Sequence, residues 1–299
     1  MTIATRDLFV DVRGLRLHVK AWPAAEGARG PATILLHGWL DHCGSFDRLA
    51  PLLVREGPAY AVDLRGHGLS AWVGPGGFYH LVEYVADLDG LLDALQIQGP
   101  VRLVGHSLGG GVSLIYAAAR PDRVAHTTLL DAMMMAVQPG DVPGRITSYL
   151  DDLRQPRARR VVGTLEAAID RLVRWNARLP REVAAHLAEG NVSPDEAQGG
   201  ALAWRWDPLL RGHSPLPLLE DTVRAIVGKI QAPLLLVRAE GGMISDLGAV
   251  REWLSGLPSL DVVSLADVSH HLHLEKPAEV AAALLHAWEL AARAGPRSG

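Results

Sequence analysis

Residues 8–22, LFVDVRGLRLHVKAW, alternate apolar and polar positions on either side of Gly14, which is the signature of an antiparallel hairpin. From Ala32 the period changes. Thr33-Ile34-Leu35-Leu36 is a continuous apolar run, as expected of a strand buried on both faces, and a helix-like segment follows from Ser45 to Arg55. Further strands are expected at 59–62, 101–106 and 124–130. Apolar residues at helical spacing fill 82–95 and 108–120 between them. Strands alternating with helices imply an α/β fold, a mostly parallel sheet with crossover helices on both faces.

The alternation stops between Ala132 and Lys229. That stretch is rich in Ala, Arg, Leu and Pro, with helical stretches near 143–153, 164–178, 181–189 and 220–230 and no strand signal, so it reads as a helical insertion. The sheet resumes at 233–237. A helix over 247–257, a strand over 260–265 and an amphipathic helix from Pro277 to Ala292 close the chain, with a frayed tail over 294–299.

Composition narrows the class. The chain has 299 residues, 48% of them apolar and 21% charged, which suits one α/β core carrying an insertion. A net charge of -4 argues against nucleic acid, because phosphate binding needs a concentrated positive surface. Arg6 and Asp7 sit where a signal peptide would be apolar, and no apolar run is long enough to span a bilayer, so no membrane partner and a cytoplasmic location are expected. Cys43 is the single cysteine; no intrachain disulfide is possible, and it reads as an incidental buried thiol.

The chemistry gathers at strand ends, where open parallel sheets carry their functional groups. After the run at 101–104 comes Gly105-His106-Ser107-Leu108-Gly109, a G-x-S-x-G pattern between strand and helix. A hydroxyl is a poor nucleophile unless held clear of its own backbone and aimed at a base, and a tight strand-to-helix turn does that for Ser107. The backbone N–H of Leu108 then starts the helix and points at a developing oxyanion. His37-Gly38-Trp39 follows the 33–36 strand, and the N–H of Trp39 is the candidate second donor. Losing one such donor typically costs about 2.7–4 kcal/mol of transition-state stabilisation. The base is expected near the chain end, where 269–277, SHHLHLEKP, offers three histidines. His270 lies nearest the strand and is preferred, with His271 and His273 packing or bonding locally. A metal cluster is disfavoured there because no acidic ligand accompanies the histidines.

These stretches together resemble the α/β-hydrolase superfamily, and more narrowly the serine hydrolase-like proteins. The resemblance is carried by LHGWLDHCGSFDRLAPLL at 36–53, DLRGHGLS at 63–70, GHSLGGG at 105–111 and HHLHLEKP at 270–277, and it spans Leu8 to Trp288. It implies a core over 1–131 and 230–299 with a helical cap over 132–229, inserted after the sixth strand. In the family's closing motif, G-H-x-x-H-x-E-x-P, the first histidine is catalytic; it falls on His270, with Ser269 in place of glycine. The acid departs from the pattern. Where relatives carry G-x-x-D after the seventh strand, this chain reads Ala239-Glu240-Gly241-Gly242. Asp131, closing the sixth strand, is the favoured replacement, as in some haloalkane dehalogenases of similar fold; Asp246 is the alternative and Glu240 a third.

The resemblance therefore implies a serine hydrolase acting on a carboxylic ester, thioester or lactone of a small, mostly apolar substrate through an acyl-enzyme, without cofactor or metal. Ser107 at the nucleophile position argues against the epoxide hydrolases and haloalkane dehalogenases, which use an aspartate there. A biosynthetic transacylase, cyclase or cofactor-free oxygenase and a small-molecule receptor are the alternatives. His37, Gly38, His106, Met133, Trp204 and Trp206 are candidate substrate contacts, with core packing the rival reading for Met133 and the tryptophans. Met134 and Met135 share that choice. Asp63 and His67 are expected to stabilise the loop after their strand, and the basic run Arg154, Arg157, Arg159 and Arg160 to be a solvated face. The expected partner is a small-molecule substrate, and the expected state a monomer or homodimer.

Overall fold

The computed structural model describes residues 4–294 except 135, 156, 157, 216, 217, 245, 247, 249, 251, 253, 255 and 258. The hairpin forms as the alternation requires: β1 (Arg6–Val12) pairs antiparallel with β2 (Leu15–Trp22) through a two-residue turn. Both turn residues have positive φ, Arg13 at 51° and Gly14 at 80°, which matches the twist of the flanking strands. The buried strands follow: β3 (Thr33–Leu36), β4 (Ala59–Val62), β5 (Val101–His106) and β6 (Val124–Leu130). Every residue of β3 and β5 is buried, so their unbroken apolar runs mark strands covered on both faces.

Between 45 and 55 the expected helix breaks into a 3-10 turn, Cys43–Phe46, and one short helix, α1 (Ala50–Leu53). The amphipathic α2 (Leu81–Ala94) and the glycine-led α3 (Leu108–Ala119) match expectation.

The insertion follows β6. It holds α4 (Val142–Arg154), α5 (Leu165–Trp175), α6 (Arg181–Asn191) and α7 (Glu220–Val227). It is not purely helical, and the expectation of an all-helical cap is corrected here. β7 (Val161–Gly163), β8 (Val192–Asp195) and β9 (Ala201–Trp204) form a small antiparallel sheet in the order β7-β9-β8. Three- and four-residue strands are too short to show a period of two, and Pro194 is tolerated because β8 lies at the edge. The way in and the way out of the insertion are clasped by a bridge, Val137 beside Leu219, with the Val137 N–H on the Leu218 carbonyl at 2.9 Å.

The core resumes with β10 (Leu234–Ala239) and β11 (Leu260–Leu265). The eight-stranded sheet runs β1-β2-β4-β3-β5-β6-β10-β11, antiparallel as far as β4 and parallel beyond it. One apolar core lies under α2, α3 and the insertion; the other lies under α1 and the C-terminal helix Pro277–Ala294. Five of the eleven residues of the helix expected over 247–257 fall outside the described residues, as do Met135, Arg157 and the tail from 295; positions 248, 250 and 252 are helical. Among the described residues, no helix is long and apolar enough to cross a membrane.

Candidate active site

Ser107 sits at the junction of β5 and α3 with φ 49° and ψ -114°, a left-handed strained conformation for a side chain with a Cβ. The turn is possible because its neighbours lack side chains. A Cβ on Gly105 would stand 2.3 Å from the Gly109 carbonyl oxygen, and one on Gly109 would stand 2.1 Å from that of Leu36. The turn after β3 is pressed against the same elbow: a Cβ on Gly38 would lie 3.3 Å from that of Ser107. Trp39 and Leu108, whose backbone N–H groups were the expected oxyanion donors, both line one cavity with Ser107.

Asp131 closes β6 and also has a positive φ, 43°. Its carboxylate is fully buried, and Oδ2 lies 2.7 Å from Nδ1 of His270, whose ring keeps a fifth of its surface exposed. The Met243 N–H donates to the same Oδ2 at 2.8 Å. Gly242 makes the room: a Cβ there would meet Asp131 Oδ2 at 2.1 Å. The loop after β10 is thus bare where the side chain from the end of β6 arrives. Asp246 is placed otherwise, its Oδ1 accepting the Gly248 N–H at 2.7 Å, and Glu240 bonds through its backbone N–H to Leu265.

The turn carrying His270 is held from three sides. His106 donates from Nε2 to the His270 carbonyl at 3.0 Å, and the two rings lie 4.4 Å apart. Glu275 accepts the Ser269 N–H at 3.1 Å and its hydroxyl besides, while Asn176 of the insertion donates to Ser269 Oγ at 3.0 Å. That second contact is what serine offers where relatives have glycine. His271 is largely buried, and burial pushes its imidazole down to about 3.

The cavity has a volume of about 630 Å³ and mostly apolar walls. Of the residues expected to contact substrate, Met133 lines it, together with Met134. The others do not, and their assignment is corrected. His37 is wholly buried, donating from Nδ1 to the Gly38 carbonyl at 2.7 Å and accepting the Leu64 N–H on Nε2 at 2.9 Å. Burial pushes it down to about 3. Gly38 and His106 pack on each other behind the elbow. Trp204 and Trp206 stack on one another 6.0 Å apart inside the insertion, each 1% exposed; they are its core and not a roof over the pocket. Tyr79, Tyr84, Leu210, Leu218 and Ile244 form walls that no sequence pattern singled out.

Around the site the loops are fixed by buried polar groups. Asp63 accepts the Cys43 N–H at 2.6 Å and that of Leu69 at 2.8 Å, and it pairs with His18 at 2.8 Å. Although burial opposes ionisation, these partners hold its carboxyl well below the usual range. His67 accepts the Leu40 N–H at 3.1 Å. Both therefore brace the loops, as their sequence position implied. Burial pushes the Cys43 thiol up, away from nucleophilic use.

A model of the α/β hydrolase fold matches residues 31–277. The chain belongs to the α/β-hydrolase family. This hydrolase is 29% identical to a serine hydrolase-like protein of Danio rerio, over 86% of this chain and 81% of that one. It is 32% identical to lipase LipV of Mycobacterium tuberculosis, over 94% and 98%. The crystal structure of a hypothetical protein from Pseudomonas aeruginosa PAO1 superposes with a TM-score of 0.81 at 29% identity, covering 97% of this chain and 99% of the other. The protein is thus an enzyme of the serine hydrolase type within this family, similar to proteins named as esterases and lipases.

Proposed function

We propose that the enzyme hydrolyses a carboxylic ester, thioester or lactone of a small, mostly apolar substrate through an acyl-enzyme. What supports this reading most is the 2.7 Å pairing of His270 Nδ1 with Asp131 beside the cavity that Ser107 enters from its strained turn. Asp131 fixes the tautomer of His270, leaving Nε2 free to take a proton, and steadies the imidazolium that results. Ser107 Oγ attacks the carbonyl carbon as His270 accepts its proton. The oxyanion is held by the N–H groups of Trp39 and Leu108, the second at the positive end of α3. His270 then protonates the leaving group; water, activated the same way, breaks the acyl–Ser107 bond and releases the acid. The insertion acts as a cap, and its Leu210 and Leu218 with Met133 and Met134 at its entrance favour an apolar acyl chain over a charged one.

The test is hydrolysis of para-nitrophenyl esters from acetate to octanoate by wild type and Ser107→Ala, with a fluorophosphonate label on both. Turnover and labelling by wild type alone are expected, with a chain-length optimum that reports the cavity depth. Labelling without turnover would remove the ester assignment while keeping the nucleophile. Failure of both would remove the nucleophile.

A further inference from the structure

A second group of ionisable side chains converges behind the elbow. Asp41 follows the turn after β3, His106 ends β5, and His273 lies in the one-turn helix Leu272–Glu275. They are 4%, 1% and 0% exposed, and one ligand atom from each lies within 4.8 Å of the other two. His106 Nδ1 and both ring nitrogens of His273 meet no hydrogen-bond partner among the described residues, and Asp41 Oδ2 is buried with the Ser45 hydroxyl beside its carboxyl. Buried polar atoms are rarely left so, because each loses its hydration without replacement.

The tautomer of His106 sharpens the point. Its Nε2 carries the proton given to the His270 carbonyl, so Nδ1 turns a bare lone pair inward. A remote ring nitrogen bonded to a backbone carbonyl is how metal-ligating imidazoles are oriented. Asp41 has a similar form, with Oδ1 committed to the His42 N–H at 2.8 Å and Oδ2 buried. Burial keeps both imidazoles neutral, the state in which they ligate, and pushes the Asp41 carboxyl up to about 7, so that a bound cation displaces its proton. Two imidazoles and a carboxylate suit a zinc-type ion; calcium and magnesium call for shells of oxygen.

We propose that Asp41, His106 and His273 together bind one divalent transition-metal ion as a structural pin. The three ligands come from the segments that carry Trp39, Ser107 and His270, so one ion would lock the oxyanion turn, the elbow and the histidine loop to each other. The sequence argued against a metal because no acid accompanies the closing histidines; the fold brings one from residue 41. The other buried set, His18, Cys43 and Asp63, is already joined by its own hydrogen bonds.

The test expresses the full chain in medium supplemented with Zn²⁺ or Co²⁺, purifies it without chelator, and measures metal by mass spectrometry and Co²⁺ by its visible bands. Wild type should retain about one equivalent per chain, with its folding checked by circular dichroism. Asp41→Asn and His273→Gln should lose metal by roughly tenfold or more, whereas His271→Gln, outside the set, should keep it. Trace metal and colourless Co²⁺ protein from wild type would overturn the site, as would equal retention in all variants. Should the ligand variants fail to fold, the wild-type Co²⁺ spectrum decides alone: nitrogen–oxygen bands support the site and their absence refutes it.

Discussion

Asp131, the proposed acid, reaches His270 from the end of β6 and not from the loop after β10. The carboxylate is buried, bonded by the Met243 N–H, and 2.7 Å from His270, whereas Asp246 spends an oxygen on Gly248. Asp131→Asn is expected to cut kcat by up to about 10⁴-fold, because the amide favours the wrong histidine tautomer. Asp246→Asn should leave kcat within a few fold of wild type. Ester turnover of both variants checks this, and the reverse pattern would move the acid to Asp246. The candidate serine and histidine were legible in sequence because each stands in a local pattern, G-x-S-x-G and the 270–277 motif. The proposed acid was legible only as a choice between positions, since which strand end lies beside His270 is settled in three dimensions. His106, Trp204 and Trp206 were misread for the same reason: an aromatic or imidazole side chain in the sequence carries no sign of which way it faces.

Between elements, the exchange of one carboxylate for another needs two loops to agree. The loop after β10 must be bare at Gly242 for the side chain at the end of β6 to fit, since a Cβ there would stand only 2.1 Å from Asp131 Oδ2. Gly242→Ala should therefore imitate a loss of the acid, lowering kcat by about tenfold or more with little change in KM, since a misplacement of about 1 Å can cost 10²-fold. Steady-state kinetics on one ester checks it; unchanged kcat would mean that Asp131 is not positioned by this loop. Long elements were readable: the hairpin, the buried strands, α2, α3 and the closing helix all follow from period and run length. The three strands of the insertion were not, because three or four residues do not declare a period. The segment over 45–55 misled because its apolar spacing outweighed Gly44 and Pro51.

For the whole molecule, the interior holds many histidines in the neutral form. Burial pushes His37 and His271 down to about 3, and His67 and His126 to about 4. The unfolded chain takes up their protons below about 6.5 while the folded one does not, so their contribution to stability is full above that pH and is lost as pH falls toward 3–4. Each fully differential group gives a slope of up to about 1.4 kcal/mol per pH unit. Two groups oppose this. His18 is held up by Asp63 and Asp7 against its burial, so its contribution is present below 6.5 and lost above; Asp41, pushed up to about 7 by burial, likewise favours the lower pH. The four outweigh the two, and the urea midpoint should fall between pH 7.5 and pH 5. A midpoint that holds or rises would show that these histidines are protonated in the folded state.

The clasp of Val137 on Leu219 carries one further consequence. Because the two stalks of the insertion meet side by side at this bridge, everything between them is a cassette with adjacent ends. Such a cassette can be exchanged, lengthened or reshaped through gene splicing at two neighbouring joints while the strands that carry Ser107, Asp131 and His270 keep their register. Diversification of what this scaffold accepts can thus proceed at these two joints, provided that a replacement keeps a donor where Asn176 steadies Ser269 and the turn of His270.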